Sequence, residues 1–135
     1  LNGGGGNDGL LGGAGNDTLV GSTGGDTLTG GTGADRFKFV TTGEGVDAIT
    51  DFLSGTDRIQ VVSVNFAGLA VGTLGPTRFV AAGSPLPDFA AFVYNRTTGV
   101  LRFDVDGSGG GAAVQIATLT GPRALVAGDI QVVAA

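Results

Sequence analysis

The sequence predicts an all-β chain that begins with a flattened parallel spiral, and three observations support this class. Residues 3–38 form four consecutive nonapeptides, in which an aspartate and, two positions later, a large apolar residue recur at every ninth position. The segment around each apolar residue alternates polar, apolar, polar, so one side chain per repeat points inward, as in a short strand. No long segment of the 135 residues shows a helical apolar period. Strands and turns therefore account for the chain.

Each repeat consists of six turn residues followed by a three-residue strand. The repeated aspartates are Asp8, Asp17, Asp26 and Asp35, and the apolar residues are Leu10, Leu19, Leu28 and Phe37. If two repeats complete one turn of the spiral, each loop stacks on the loop eighteen residues further on. This pairs the Asp8 loop with the Asp26 loop and the Asp17 loop with the Asp35 loop. Leu1, Leu19 and Phe37 then lie in one sheet, and Leu10 and Leu28 lie in the other.

The stacked loops present only oxygen donors, namely carboxylates and glycine carbonyls, which suit Ca²⁺. The chain contains no His and no Cys, so nitrogen and sulphur metal sites are excluded. Ordering the backbone costs about 1–2 kcal/mol per residue. One buried apolar side chain per nine residues returns about 1.5–3 kcal/mol. Metal binding must therefore contribute folding free energy. The alternative, a flexible Gly-rich linker, does not explain why aspartate and apolar residue stay in phase over four units.

Beyond Lys38 the glycine phase breaks, and three more carboxylates become ligand candidates. Glu44 falls where the next aspartate of the period would lie, so we expect a degenerate loop whose carboxylate faces the Asp26 loop, with a plain solvent turn as the alternative. Asp51 lies close to one turn beyond the Asp35 loop, where a carboxylate could close the last calcium site. Asp57 follows Gly55, which favours a turn position over a ligand role.

The remainder of the chain reads as short strands separated by Gly- and Pro-containing turns. Strands are expected at 58–64, 78–81, 112–119 and 129–133, a hairpin at 91–104, a helical turn at 66–69, and a tight turn or short helix at 122–128. The segment Asp104-x-Asp106-Gly107-x-Gly109 could bind a further Ca²⁺, but it lacks the later glutamate of an EF-hand loop, so a hairpin turn is the preferred interpretation.

Charge and composition exclude several functions. The net charge of −5 argues against nucleic acid and anionic membrane surfaces as partners, and favours cations. No run of eighteen apolar residues exists, so no membrane-spanning segment is expected. A catalytic carboxylate pair among Asp47, Asp51 and Asp57 is conceivable, but without His or Cys we expect no enzyme activity in this chain.

Several motifs resemble those of a known family. The nonapeptides are followed by G-A-D-x-F at 33–37, D-x-I-x-D-F at 47–52, G-x-D-x-I at 55–59 and D-I-x-V-V at 129–133. Together they resemble the C-terminal RTX domain, the hemolysin-type calcium-binding nonapeptide repeat β-roll, of bacterial proteins exported by type I secretion, including serralysin-type metalloproteases. The resemblance covers essentially the whole chain.

The resemblance implies a parallel β-roll capped by a C-terminal antiparallel β-sandwich. It also implies two to four or more Ca²⁺ ions between stacked loops. Their ligands would be the four repeat aspartates and carbonyls from the loop glycines, Gly3, Gly4, Gly6, Gly12, Gly13, Gly15, Gly21, Gly24, Gly30, Gly31 and Gly33. It supports Glu44 as a further ligand. Finally, it implies an uncleaved secretion signal at 129–135, read by a type I exporter, and a secreted, extracellular or cell-surface location.

We therefore expect residues 1–45 to be the N-terminally truncated end of a repeat array, because Leu1 lies one period before Leu10. Residues 46–135 are expected to form a capping and secretion-signal region packed as one unit with the roll. The favoured function is a monomeric calcium-binding module that folds after export and belongs to a larger extracellular protein, with an enzyme such as a secreted protease as one candidate for that parent. The alternative is a cell-surface, S-layer or polysaccharide-binding module of an adhesin or extracellular enzyme.

Overall fold

The computed structural model describes residues 1–108 and 112–134. Within these ranges the chain forms thirteen strands and two three-residue 3-10 helices, and it contains no α-helix. No helix in the described ranges has the length and apolar character needed to cross a membrane. Gly109 of the acidic turn and Ala135 of the C-terminal segment lie outside the described residues.

The first seven strands build the spiral, and six further strands follow it. The spiral strands are β1 (Asn2–Gly5), β2 (Gly9–Ala14), β3 (Thr18–Thr23), β4 (Thr27–Thr32), β5 (Arg36–Phe39), β6 (Asp47–Ile49) and β7 (Arg58–Val62). The later strands are β8 (Gly72–Thr73), β9 (Phe79–Ala81), β10 (Ala91–Asn95), β11 (Val100–Asp104), β12 (Val114–Leu119) and β13 (Ile130–Val133). The 3-10 helices are Pro76–Arg78 and Ala127–Asp129.

Odd- and even-numbered spiral strands separate into two parallel sheets. Strands β1, β3, β5 and β7 are neighbours in one sheet, and β2, β4 and β6 are neighbours in the other. Leu10 aligns with Leu28, and Leu19 aligns with Phe37, so each apolar residue lies beside its equivalent one turn away. Leu19, Leu28 and Phe37 are fully buried between the sheets. The expected two-repeat turn and the parallel roll are therefore observed.

The last turn of the spiral is longer than the regular ones. Leu28 aligns with Ile49, and Phe37 aligns with Ile59, whereas regular partners are eighteen residues apart. The connection from β5 to β6 is thus three residues longer than a regular loop, and the connection from β6 to β7 is one residue longer. Strand β6, which the broken period concealed, pairs in register with β4 despite these insertions.

The later strands extend both sheets of the spiral. Strand β12 pairs parallel to β6, and β11 and β10 follow as an antiparallel hairpin, with β9 parallel to β10 at the edge. In the other sheet β13 pairs parallel to β7 and antiparallel to β8. The expected all-β class holds, but a purely antiparallel cap is not what forms. The last spiral strands, β6 and β7, each pair with a parallel strand of the cap, and the result is a mixed arrangement.

One apolar cluster runs from the spiral into the cap. It includes Leu10 of β2 in the spiral and Val132 of β13 in the cap. Three rings, those of Phe66, Phe92 and Phe103, pack together with centroid separations of 5.0–6.2 Å. Pairs of this kind contribute about 0.5–1.5 kcal/mol beyond the buried area. The cap therefore supplies a three-ring cluster, in addition to the pair formed by Phe37 of the last repeat and Phe52.

Several local expectations for the cap differ from the structure. The hairpin at 91–104 forms as β10 and β11. Residues 66–69 form a bend at Phe66 and a turn at 67–68 rather than a helical turn, and the short strand β8 had no sequence signal. The expected strand at 129–133 begins one residue later, because Asp129 belongs to the preceding 3-10 helix.

Candidate metal centre

Six aspartates form two vertical ladders, one along each edge of the spiral. The first ladder contains Asp8, Asp26 and Asp47, and the second contains Asp17, Asp35 and Asp57. In each ladder the backbone N–H of one aspartate donates to Oδ1 of the aspartate one turn further on. The N···O distances are 2.7 and 3.0 Å in the first ladder and 2.9 and 3.0 Å in the second. These bonds occupy Oδ1 of Asp26, Asp47, Asp35 and Asp57.

The second carboxylate oxygens are the unusual feature of the ladders. Oδ2 of Asp8, Asp17, Asp26 and Asp35 is buried and has no hydrogen-bond donor. Asp26 and Asp35 are only 1% exposed. Buried carboxylate oxygens without a donor carry a desolvation penalty of a few kcal/mol, since water can no longer solvate them. Four such atoms in register require a common explanation, and a bound cation provides one.

The first glycine of each repeat lies directly against these oxygens. A Cβ placed on Gly21 would contact Asp26 Oδ2 and would lie 2.8 Å from Asp47 Oδ2. A Cβ on Gly3 would lie 2.9 Å from Asp8 Oδ2 and 2.8 Å from the carbonyl oxygen of Gly21. Carboxylate and carbonyl oxygens from two stacked loops therefore converge beside a glycine that has no side chain to fill the space.

This donor set fits Ca²⁺. Within residues 1–108 and 112–134 no group of three His, Cys, Asp or Glu side chains is arranged to hold a metal ion, so a site here needs main-chain oxygens as well. The carbonyls of Gly21 and Gly30, which lie close to Gly3 and Gly12, provide such oxygens beside the Asp8 and Asp17 carboxylates. Ca²⁺ accepts carboxylate and carbonyl oxygens in flexible geometry, whereas Zn²⁺ prefers nitrogen and sulphur. Ladder aspartates and the carbonyls of Gly21 and Gly30 would hold the ion, which would supply the positive charge that the carboxylates lack.

The raised pKa values of two acidic residues at the first ladder also favour a bound cation there. Burial, together with repulsion from Asp26 and Glu44, raises the pKa of Asp47 to about 6, although the Asp26 N–H partly offsets the rise. Burial raises the pKa of Glu44 as well, and the charge of Asp26 adds to it. Negative charges thus accumulate at this edge, and a divalent cation would relieve the repulsion.

The remaining loop glycines shape the loops. Positive φ occurs at Gly4, Gly6, Gly13, Gly15, Gly24, Gly31 and Gly33. At Gly24 a Cβ would also contact the carbonyl oxygen of Gly6 in the loop below, so both the backbone angle and the stacking distance require glycine there. Asn7 and Asn16, which we did not identify from the sequence, bridge stacked loops by accepting N–H bonds from Gly25 (2.9 Å) and Ala34 (2.8 Å). In the sequence, their position directly before a repeat aspartate is the feature that could have identified them.

Comparison with known families shows to which family the chain belongs. Residues 5–132 match the family model described as peptidase M10 serralysin C terminal. The chain belongs to the serralysin C-terminal family. The resemblance that the motifs indicated is thereby confirmed. The match concerns the C-terminal region of these peptidases and not their protease part. A search of curated proteins finds no match.

In this serralysin C-terminal domain, the ladder position that the nine-residue period assigned to Glu44 belongs to Asp47. The Glu44 loop does stack on the Asp26 loop, because the Glu44 carbonyl accepts the Gly24 N–H at 2.7 Å. The Glu44 carboxylate, however, accepts the Val40 N–H at 3.3 Å. The three inserted residues between β5 and β6 cause this shift of the ladder carboxylate.

The structure also differs from the expected roles of Asp51 and Asp57 on the other edge of the spiral. Asp51 was expected to close the last site, but its carboxylate accepts the N–H groups of Gly30 (2.9 Å) and Gly31 (2.8 Å). Asp57, expected mainly as a turn residue, is buried and continues the second ladder while its Oδ2 accepts the Leu53 N–H at 2.8 Å. Asp57 therefore combines both roles.

The acidic turn after β11 lies apart from the ladders. Oδ1 of Asp104 accepts the N–H of Asp106 at 3.3 Å, which closes a local turn. Burial and the neighbouring Asp106 raise the pKa of Asp104. Strands β11 and β12, which flank this segment, pair antiparallel, and Gly109 lies outside the described residues.

Replacing Gly21 by alanine should weaken calcium binding at the first ladder. The new Cβ would occupy the space between Asp26 and Asp47, and Gly21 has no positive φ that would add backbone strain. We expect a loss of affinity of roughly 10–100-fold, as for other changes beside metal ligands. Calcium titration by calorimetry measures it. The control is Gly9→Ala, since a Cβ at Gly9 meets no atom within 4 Å. Equal calcium affinities for the two variants would contradict an ion site beside Gly21.

The ladder assignment predicts different effects for two acidic residues of one loop. Asp47→Asn removes a ladder charge and should weaken binding by roughly 10–100-fold. Glu44→Gln leaves the ladder intact and should have a smaller effect, because the Glu44 carboxylate bonds to Val40. Calcium titration of both variants decides between them. A larger loss of calcium affinity for Glu44→Gln would instead support Glu44 as the ligand, as the nine-residue period predicted.

Proposed function

We propose that this chain is a calcium-dependent folding module that also carries the secretion signal of a larger extracellular protein. The observation that carries the proposal is the set of four buried Oδ2 atoms without donors, arranged in two ladders beside glycines. Protein groups alone leave these atoms unpaired. A divalent cation in each gap pairs them and makes the folded state favourable.

The ladders contain four gaps between stacked aspartates, two on each edge. We assign two to four Ca²⁺ ions to them. Each bound ion stabilises the folded chain by RT ln(1 + [L]/Kd), about 2.7 kcal/mol when free Ca²⁺ exceeds Kd a hundredfold. Because a typical domain is stable by only about 5–15 kcal/mol, occupation of a few sites decides whether the repeats fold.

Such a dependence suits export. Ca²⁺ is scarce in the cytosol and abundant outside, so the repeats would stay unfolded during passage through an exporter and fold on arrival. Proteins of the serralysin type are secreted, which supports the same location for the parent of this chain. The segment 129–135 is the proposed contact for a type I exporter. In this proposal the module contributes folding and export, and any catalytic step belongs to other parts of a parent protein.

The folding half of the proposal predicts a calcium-induced gain of β structure in the isolated chain. Far-ultraviolet circular dichroism in EGTA should show a largely unfolded chain, and added Ca²⁺ should restore the strand signal cooperatively. The matched control is the double variant Asp26→Asn with Asp35→Asn, which keeps the size of both side chains and removes the central charge of each ladder. It should need much higher Ca²⁺ to fold.

Equal strand signal in excess EGTA and in Ca²⁺ would contradict the folding half. The export half fails separately if a passenger fused to the whole chain is not exported by a type I system, although the same chain folds with Ca²⁺ in solution.

A further inference from the structure

The C-terminal segment, proposed above as an export signal, occupies an interior position in the folded chain. Strand β13 lies between β7 and β8 in its sheet. Ile130 and Val132 are buried in the apolar core. In the folded state this segment is therefore part of the structure that holds the end of the spiral.

This segment contacts the spiral in two ways, because β13 pairs with β7 and one buried carboxylate bonds to loop 51–57. Asp129 is only 2% exposed, although it is an acidic residue. Its Oδ2 accepts the Ser54 hydroxyl at 2.6 Å, and its Oδ1 accepts the Gly55 N–H at 3.0 Å. The same carboxylate accepts the Val126 N–H at 3.1 Å, which closes the turn before β13. Asp129 thus joins the C-terminal strand to the tip of loop 51–57.

Loop 51–57 is also the last loop of the second ladder. Its Asp57 accepts the Asp35 N–H at 3.0 Å, beside the unpaired Asp35 Oδ2. Arg58 completes the connection. Its Nη1 donates to the Asp57 carbonyl at 2.8 Å and lies 3.8 Å from Asp129 Oδ1. The loop is therefore bound to the ladder on one side and to Asp129 on the other.

The first ladder has no equivalent connection to Asp129. Its last aspartate, Asp47, lies at the start of β6, which pairs with β4 and β12. The hydrogen bonds of Asp129 in the described ranges go to residues 54, 55 and 126. The two edges of one spiral thus differ in whether the C-terminal segment supports their final loop, and this difference provides an internal control.

We propose that Asp129 is a positioning residue that couples docking of the C-terminal strand to calcium binding at the second ladder. Docked Asp129 holds loop 51–57 in the shape that presents Asp57. Because coupling between two binding events is reciprocal, Ca²⁺ between Asp35 and Asp57 holds β13 in its sheet by the same free energy. The inference rests on the proposed calcium function. It implies that calcium-driven folding removes the C-terminal segment from the reach of an exporter.

The test is Asp129→Asn in the full chain, with Ca²⁺ titrated and the amide NMR signals of Asp26 and Asp35 followed as reporters of the two ladders. Loss of the charge-assisted bonds should raise the Kd of the second ladder about tenfold. The first ladder should change by less than about twofold, since additivity holds for separate sites. Hydrogen exchange at residues 130–133 should slow on adding Ca²⁺ to the wild type, and less so in the variant.

Two further variants keep the test decisive. Asp88→Asn is the matched control, because it removes an exposed cap carboxylate that bonds to Ser108 and not to loop 51–57, and it should change neither ladder. Ser54→Ala removes one bond to Asp129 and should reproduce the selective loss at smaller size, which decides the matter if Asp129→Asn fails to fold. Equal losses at both ladders in Asp129→Asn, no loss, or the same selective loss in Asp88→Asn would overturn the coupling. A wild type that binds no Ca²⁺ would instead overturn the proposed function itself.

Discussion

The two oxygens of a ladder carboxylate have different surroundings, and the spiral depends on both. In Asp26, Asp35, Asp47 and Asp57, Oδ1 accepts the N–H of the ladder aspartate one turn earlier in the chain and so sets the distance between turns. In Asp8, Asp17, Asp26 and Asp35 the other oxygen is buried with no donor. In the proposed function, an ion between the loops would pair the second oxygen without disturbing the bond to the first, and the balance between folded and unfolded chain would then depend on the supply of that ion.

The other features of the spiral follow from this constraint. Glycine stands at the first position of each loop because any side chain would displace the carboxylate, as the contacts at Gly21 show. The repeat strands β2, β3 and β4 each contribute one buried leucine, so the repeats bury little surface of their own. The aromatic packing of Phe66, Phe92 and Phe103 lies in the cap, which continues both sheets and thereby fixes the last turn.

Regular periodicity made the spiral predictable, and its interruptions set the limit of that prediction. The two sheets, the loop pairs and four ladder aspartates follow from a nine-residue period that places equivalent residues side by side. Asp47 and Asp57 could not be assigned this way, because insertions of three residues and one residue displace them from the period. The bond from Asp129 to Ser54 joins positions 75 residues apart, and no local pattern reports such a contact. Pairing across the cap likewise depends on which spiral edges are left exposed.

The most direct test of this account is a crystal structure of the chain grown in Ca²⁺, with ions identified by their anomalous scattering. The account predicts ions in the gaps of both ladders, each bound by Oδ2 of a ladder aspartate and by carbonyl oxygens of the stacked loops, with Asp47 and Asp57 at the final gaps. Ladders of the same geometry whose Oδ2 atoms contact only water, with no ion between the loops, would contradict it.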